Sequence, residues 1–459
     1  MISIKKLSVV ALALYSQFNW ATTVDGYPSS KVTYIANFVW YNNMSHPLSD
    51  GQYIESENGQ QYKVQNDQQL DLSYSSYPAC RDTMQYMCMP IPAVTAHVVK
   101  SKDGVFDKPV YFIKGLNVTA GGINASGGEF NKYWNDYNLK DVFKPLLETG
   151  RDIVFIDYTK AEESVIPQSS QLIHFVETQL KAGNHQSTMM GYSYGGLIAK
   201  QALNLMESSR YNHEFFNYIS IDAPHKGANI PYTITDTIGR IKGRLEDARG
   251  CSWSSACDKA RKNARRMYAS LTEGLAAKLL VTGNDSFQYF RKLADEGYPS
   301  TYNVAFSNGS YTGTSTGLPT NSQMARFEAD YKVYGDTYYT LKSLSISRQY
   351  KMGHYYRSHN FDNAPGSYAI TGQMLKAFFD DNGNIRRVTN NLLSNNKKPT
   401  FITTASALDL NTNDFTSAFN PNSVSTPFDK VYAVSGSNLS HTNFSYHKDN
   451  LILEVKKAN

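Results

Sequence analysis

The chain is predicted to adopt an α/β fold with a mainly parallel sheet and helices on both faces. Three observations carry this. Apolar strand-like runs alternate with helical periodicity from about residue 105. The runs Pro109–Lys114, Asp152–Asp157 and Thr188–Tyr192 are almost continuously apolar, as strands buried on both faces require. One of them passes straight into a glycine-flanked serine and then a helix, in Gly191-Tyr192-Ser193-Tyr194-Gly195-Gly196.

The first of these strands, PVYFIK, leads into Gly115, Leu116, Asn117 and a glycine-rich loop. DIVFID is a second strand, Ser169–Leu180 has helical spacing, and TMMGY is a third strand. Gly195–Ser208 places apolar residues three and four apart, as an amphipathic helix does. FNYISI (Phe216–Ile221) is a fourth strand and ends at Asp222. Residues 232–298 interrupt the alternation with a helical, basic insertion containing Arg240, Lys242, Arg244, Arg249, Lys259, Arg261, Lys262, Arg265 and Arg266. Tyr302–Ser307 resumes the sheet, residues 328–350 alternate like a β-ribbon, and Thr400–Ala407 and Lys430–Ser435 are late strands. Residues 22–104 are polar and tyrosine-rich with short β-like runs, and form an N-terminal β-rich extension before a main domain at 105–459.

Composition bounds the function classes. The chain has 459 residues, 41% hydrophobic, 13% aromatic and 19% charged, which suits a folded protein and argues against long disorder. A net charge of +5 is small for this length and implies no nucleic-acid partner. Lys5 and Lys6, an apolar run Leu7–Tyr15 and a small residue at Ala21 make residues 1–21 a secretory signal peptide, too short for a stable membrane anchor. The protein is therefore expected to be secreted or periplasmic. The four cysteines, Cys80, Cys88, Cys251 and Cys257, fit an oxidising compartment. Four cysteines allow three pairings, and loop closure favours Cys80–Cys88 and Cys251–Cys257. Their spacing is not that of a metal site, so neither a metal nor a cofactor is expected.

The chemistry centres on Ser193. A serine between a strand and a helix, flanked by glycines, sits on a sharp turn that exposes its hydroxyl. Side chains at the flanking glycines would strike the neighbouring strand and helix. A serine hydroxyl needs a base to take its proton. His354, His359, His441 and His447 follow in the chain; His441 is preferred because it lies just past the terminal strand. An acid must orient the imidazole. Asp222, ending the strand after the nucleophile helix, is the first choice, and Asp429 and Asp409 are alternatives. The oxyanion donors are expected from the N–H groups of Tyr194 and Leu116, with Asn117 as the fallback for the latter.

These residues resemble a known group. Gly191–Leu197 looks like the elbow of lipase-like α/β-hydrolases, and Asp222-Ala223-Pro224-His225-Lys226-Gly227 is similar to the segment after the nucleophile in bacterial lipases and relatives of GPI-inositol deacylase. Lys114-Gly115-Leu116-Asn117 takes the place of the family's oxyanion loop without its usual His-Gly pair. The resemblance implies the α/β-hydrolase fold with a lid-like helical insertion, and a serine esterase or lipase acting on carboxylic esters, lipid esters among them. It also implies that His225 is structural. The basic residues of 240–266 either meet anionic lipid headgroups or form a solvated helical face. Peptide or amide hydrolysis on the same triad, and a non-catalytic binding or adhesion role, remain open at this point.

Overall fold

The computed structural model describes residues 22–34, 53–55, 61–63, 94–115, 129–158, 186–208, 213–229, 297–317, 323–331, 350–357, 363–368, 385–388 and 398–458, with Gly243 and a few helical residues between 169 and 176. The expected signal segment 1–21, all four cysteines, Leu116, Asn117 and nearly all of the expected insertion at 232–298 lie outside the described residues.

A nine-stranded sheet organises the molecule. Its strands are β1 (Thr22–Val24), β2 (Tyr27–Tyr34), β5 (Val94–Val99), β6 (Val110–Ile113), β7 (Ile153–Tyr158), β8 (Ser187–Tyr192), β9 (Phe215–Ile221), β10 (Tyr302–Ser310) and β16 (Lys430–Val434), in the spatial order β1-β2-β5-β7-β6-β8-β9-β10-β16. From β7 to β16 every neighbour is parallel. β1, β2 and β5 add on antiparallel, β5 pairing along β7 from Val94↔Tyr158 to Val99↔Ile153. The sheet therefore crosses the boundary drawn at residue 104. A short hairpin, β3 (Tyr53–Glu55) with β4 (Gln61–Lys63), stands apart from it.

The central strands are buried along their whole length, which is why VYFI and IVFIDY read as unbroken apolar runs. One face carries α1 (Lys140–Leu147) and the C-terminal α4 (Lys448–Lys456). Phe112, Phe143, Phe155, Trp134, Phe306, Phe444, Leu451 and Val455 fill that layer. Phe112 alone meets Phe143 edge-on at 5.5 Å and stacks on Phe155 at 5.6 Å. The opposite face carries α2 (Tyr194–Ser208), tied down by Tyr218, whose hydroxyl donates to the Gly196 carbonyl (2.7 Å). Alternation along β6 serves both layers, since Tyr111 points away from Phe112 to meet Phe175 at 6.5 Å.

Two late elements differ from expectation. Of the ribbon expected over 328–350, residues 332–349 lie outside the described residues, and its ends belong to a three-stranded antiparallel sheet of β11 (Gln323–Tyr331), β12 (Tyr350–Arg357) and β14 (Ile385–Val388). The strand expected over Thr400–Ala407 is only half a strand. β15 (Thr400–Thr403) pairs antiparallel with β13 (Gly366–Tyr368), outside the main sheet, and α3 (Thr404–Ala407) follows at once. Thr403 caps this turn by accepting the Ser406 N–H at its hydroxyl (3.1 Å), and alanines behind such a cap favour helix.

The parallel strand order, helices on both faces and the strand–serine–helix junction at the carboxyl end of β8 make this an α/β-hydrolase fold. Among the described residues no helix is long and apolar enough to cross a membrane.

Candidate functional site

Parallel strands deliver their following loops to one edge, and the site lies at that carboxyl edge. β8 ends at Tyr192 and α2 begins at Tyr194, leaving Ser193 alone in the turn at φ +54°. A non-glycine residue in this left-handed region is strained, and the strain holds the side chain out of the ladder. Two backbone bonds keep it there: Ser193 N–H donates to Ile221 O (2.8 Å), and Gly196 N–H donates to Ser193 O (3.0 Å). The glycines are steric necessities. A Cβ on Gly195 would lie 2.1 Å from the Ile113 carbonyl oxygen, and one on Gly191 would lie 2.4 Å from that of Gly195.

β9 pairs Ile221 with Tyr192, so Asp222 and Ser193 leave neighbouring strands at the same level. Asp222 is fully buried at φ +46°, and its N–H donates to Phe306 O on β10 (2.7 Å). The loop after β16 brings in His441. Its Nδ1 lies 2.6 Å from Asp222 Oδ2, across 219 residues of sequence. The second carboxylate oxygen accepts the Asn308 N–H (3.1 Å). With Nδ1 committed to the carboxylate, the neutral imidazole carries its proton there and leaves Nε2 as the basic nitrogen. The ring lies beside Tyr192 (4.8 Å) and edge-on to Phe401 (5.0 Å). Tyr192 is the residue immediately before Ser193, so the same aromatic ring that ends β8 supports the imidazole.

The other two acids have different tasks. Asp429 precedes β16, and a residue before a parallel strand lies at the amino edge, opposite the serine. Its Oδ2 accepts the N–H of Asn303, at the start of β10 (2.7 Å). Asp409 follows α3 and accepts the hydroxyl of the half-buried Tyr298 (2.8 Å), whose own deprotonation is pushed up by desolvation. Among the described residues neither acid bonds a histidine.

The other candidate bases, and His225, stand in different surroundings. His225 binds Ser220 Oγ through Nε2 (2.8 Å), and burial, with Lys200 nearby, holds it neutral well below the usual histidine range. His447 Nε2 donates to Ser307 O (2.9 Å), and burial lowers its pKa too. His354 belongs to β12, in the separate three-stranded sheet, and His359 lies outside the described residues.

Of the expected oxyanion donors, Tyr194 opens α2 directly after the serine. Gly115, at the start of the other loop, packs against Ser193. A Cβ there would lie 2.8 Å from Ser193 Cβ and 3.3 Å from its hydroxyl oxygen. The Gly115 N–H donates to the Tyr133 hydroxyl (3.2 Å), which holds the loop's first residue. Gly115→Ala is expected to push loop and serine apart and to lower kcat roughly 10–100-fold, with the unfolding midpoint measured in parallel.

Three features escaped sequence reading. Asn308 and Tyr192 hold the backbone of His441, as described below. Beside Gly115, Lys114 pairs with Asp157 at 2.5 Å, both side chains almost fully buried. Among the described residues neither Asp157 oxygen receives any other hydrogen bond. The charges ending PVYFIK and DIVFID were visible in sequence, but only strand adjacency makes them a pair. Removing one partner of a buried pair leaves an uncompensated charge. Lys114→Met is therefore expected to cost about 3–5 kcal/mol in urea unfolding, and Lys114→Met with Asp157→Leu is expected to cost much less.

No known family model matches this chain, and no curated protein matches it in sequence. Solved structures similar to parts of it include Est1E from Butyrivibrio proteoclasticus (15% identity, TM-score 0.23, covering 32% of this chain and 51% of that one). The mature lipase BlEst2 of Bacillus licheniformis is similar at 18% identity and TM-score 0.27, over 44% of this chain and 65% of that one. An esterase of Pyrobaculum calidifontis is similar at 13% identity and TM-score 0.28, over 47% and 62%. The chain thus spans between half and two thirds of the length of these structures.

Proposed function

We propose that this protein is an exported serine hydrolase of carboxylic esters that works through an acyl-enzyme on Ser193. The observation that carries the reading is the 2.6 Å pair of Asp222 and His441 at the sheet edge where Ser193 stands on its strained turn. His441 Nε2 takes the Ser193 proton as Oγ attacks the ester carbonyl. The imidazolium so formed is stabilised by Asp222. The tetrahedral oxyanion is met by backbone N–H groups, that of Tyr194 and one from the loop after Gly115, at Leu116. As the intermediate collapses, the alkoxide leaves with the proton from His441. Water, deprotonated by the same imidazole, then releases the acid and restores the hydroxyl.

The natural substrate class in this reading is a lipid ester. The support is the basic stretch at 240–266, in the insertion where such folds carry a lid, which suits contact with anionic lipid surfaces. Export rests on the charged and apolar segment 1–21.

The test is labelling of the purified mature protein with a fluorescent fluorophosphonate, with and without detergent, and mapping of the adduct by mass spectrometry. A single adduct on Ser193 is the expected result. Folded, monodisperse protein that takes up no label under either condition would sink the proposal. Turnover of peptide anilides in preference to esters would replace the ester assignment with an amidase one.

A further inference from the structure

Asn308 lies where the β10–β16 ladder is interrupted, between the pairs Phe306↔Tyr432 and Ser310↔Val434. Released from a regular partner strand, its polar groups reach the acid and the base loop instead. The N–H donates to Asp222 Oδ1 (3.1 Å). The side-chain Nδ2 donates to the backbone carbonyl of His441 (3.0 Å). The carbonyl accepts the N–H of Leu439 (2.8 Å), two residues before the base. A second donor meets the same His441 carbonyl, the hydroxyl of Tyr192 (3.2 Å), the residue preceding the nucleophile.

The choice of asparagine here is costly for packing alone. The residue is buried, and its Oδ1 has no hydrogen-bond partner among the described residues. An unpaired buried carbonyl destabilises, and an apolar side chain of similar shape would avoid that loss. What asparagine adds over leucine is the Nδ2 donor to His441.

We propose that Asn308 is a positioning residue for the acid–base pair, fixing the His441 backbone against the strand that also holds the Asp222 carboxylate. It touches neither substrate nor the reacting atoms and acts through His441, and it rests on the reading of Ser193, His441 and Asp222 as a triad. The backbone freedom of the loop residue that carries the imidazole is thereby removed before substrate arrives, while the ring itself is held by Asp222 and lies against Tyr192 and Phe401.

The experiment uses the full mature chain with Asn308→Leu and Asn308→Asp. Kinetics are read on a short-chain p-nitrophenyl ester. The low-field proton resonance of the His441 Nδ1–H is read in a Ser193→Ala background, which needs no turnover. Asn308→Leu is expected to lower kcat about tenfold with KM within about twofold. It is also expected to shift or broaden the proton resonance. Asn308→Asp donates to His441 only as the protonated acid, so its kcat gains a limb that falls with rising pH and is absent in wild type, over a range where unfolding shows it folded. Unchanged kcat in folded Asn308→Leu, an unmoved resonance, or a rise in KM that accounts for the whole loss overturns the proposal. Should Asn308→Leu fail to fold, the Asn308→Asp pH profile decides alone, and absence of the new limb overturns it. A resonance that moves in a protein with no Ser193-dependent turnover supports the Asn308 link and refutes the triad. Intact turnover in Asn308→Leu refutes the link and leaves the triad standing.

Discussion

Ser193→Ala is expected to lower kcat for an activated ester by roughly 10⁴–10⁶-fold while leaving the unfolding midpoint nearly unchanged. The size follows from the chemistry. Without Oγ there is no acyl-enzyme, and the neighbouring groups retain only what they give to water attack. The stability expectation follows from the geometry. Ser193 is held by backbone bonds to Ile221 and Gly196, and alanine keeps both. Alanine also tolerates φ +54° about as poorly as serine, so the strain of the turn is unaltered. A variant that keeps a tenth of wild-type turnover would remove Ser193 from the mechanism.

Asp222→Asn is expected to lower kcat roughly 10³–10⁴-fold with the fold intact. An asparagine at 222 has the right shape but either offers an N–H to Nδ1 or accepts through a neutral oxygen. The first arrangement drives the imidazole proton to Nε2, where it faces the serine and blocks its role as base. The second loses the charge that stabilises the imidazolium. Asp429→Asn and Asp409→Asn are the controls. Each keeps an oxygen able to accept the Asn303 N–H or the Tyr298 hydroxyl, so turnover should stay within about twofold of wild type, with losses of about 1 kcal/mol or less seen in urea unfolding. A large kcat loss in Asp429→Asn with a normal Asp222→Asn would overturn the assignment of the acid.

The choice among three aspartates shows where sequence reading ran short. All three precede His441 in the chain, and order along the chain does not separate them. Asp429 is nearest to His441 in sequence, yet it sits before a parallel strand and so at the wrong edge of the sheet. That argument was within reach of sequence reading once β16 was taken as parallel, because the edge follows from strand direction. Asp409 lies just past the expected strand Thr400–Ala407, which stops at Thr403, where the Thr403 cap turns the chain into α3. Local propensity in Thr400–Ala407 suits either state, and the antiparallel partner β13 covers only its first half.

The elements that were legible are those whose signal is local. β6, β7, β8 and β9 are buried on nearly every residue, so their sequences are apolar without alternation. Ser193 was legible because the turn admits only glycine at its flanks, and contacts of 2.1–2.4 Å for a Cβ there give the reason. Less legible was the membership of β1, β2 and β5 in the main sheet. β5 pairs with β7 and β2 with β5, each across some 60 residues of chain, and such strands read the same in a separate layer.

By itself, then, the sequence determined the parallel core, the strained serine between strand and helix, and a short list of bases and acids, since burial and steric exclusion leave marks on neighbouring residues. Only the tertiary structure decided that Asp222 is the aspartate beside His441, that Lys114 meets Asp157, and that Asn308 bonds both the Asp222 carboxylate and the His441 backbone. These are contacts between strand ends and loops distant in the chain. They are set by sheet order and register, which no single segment encodes.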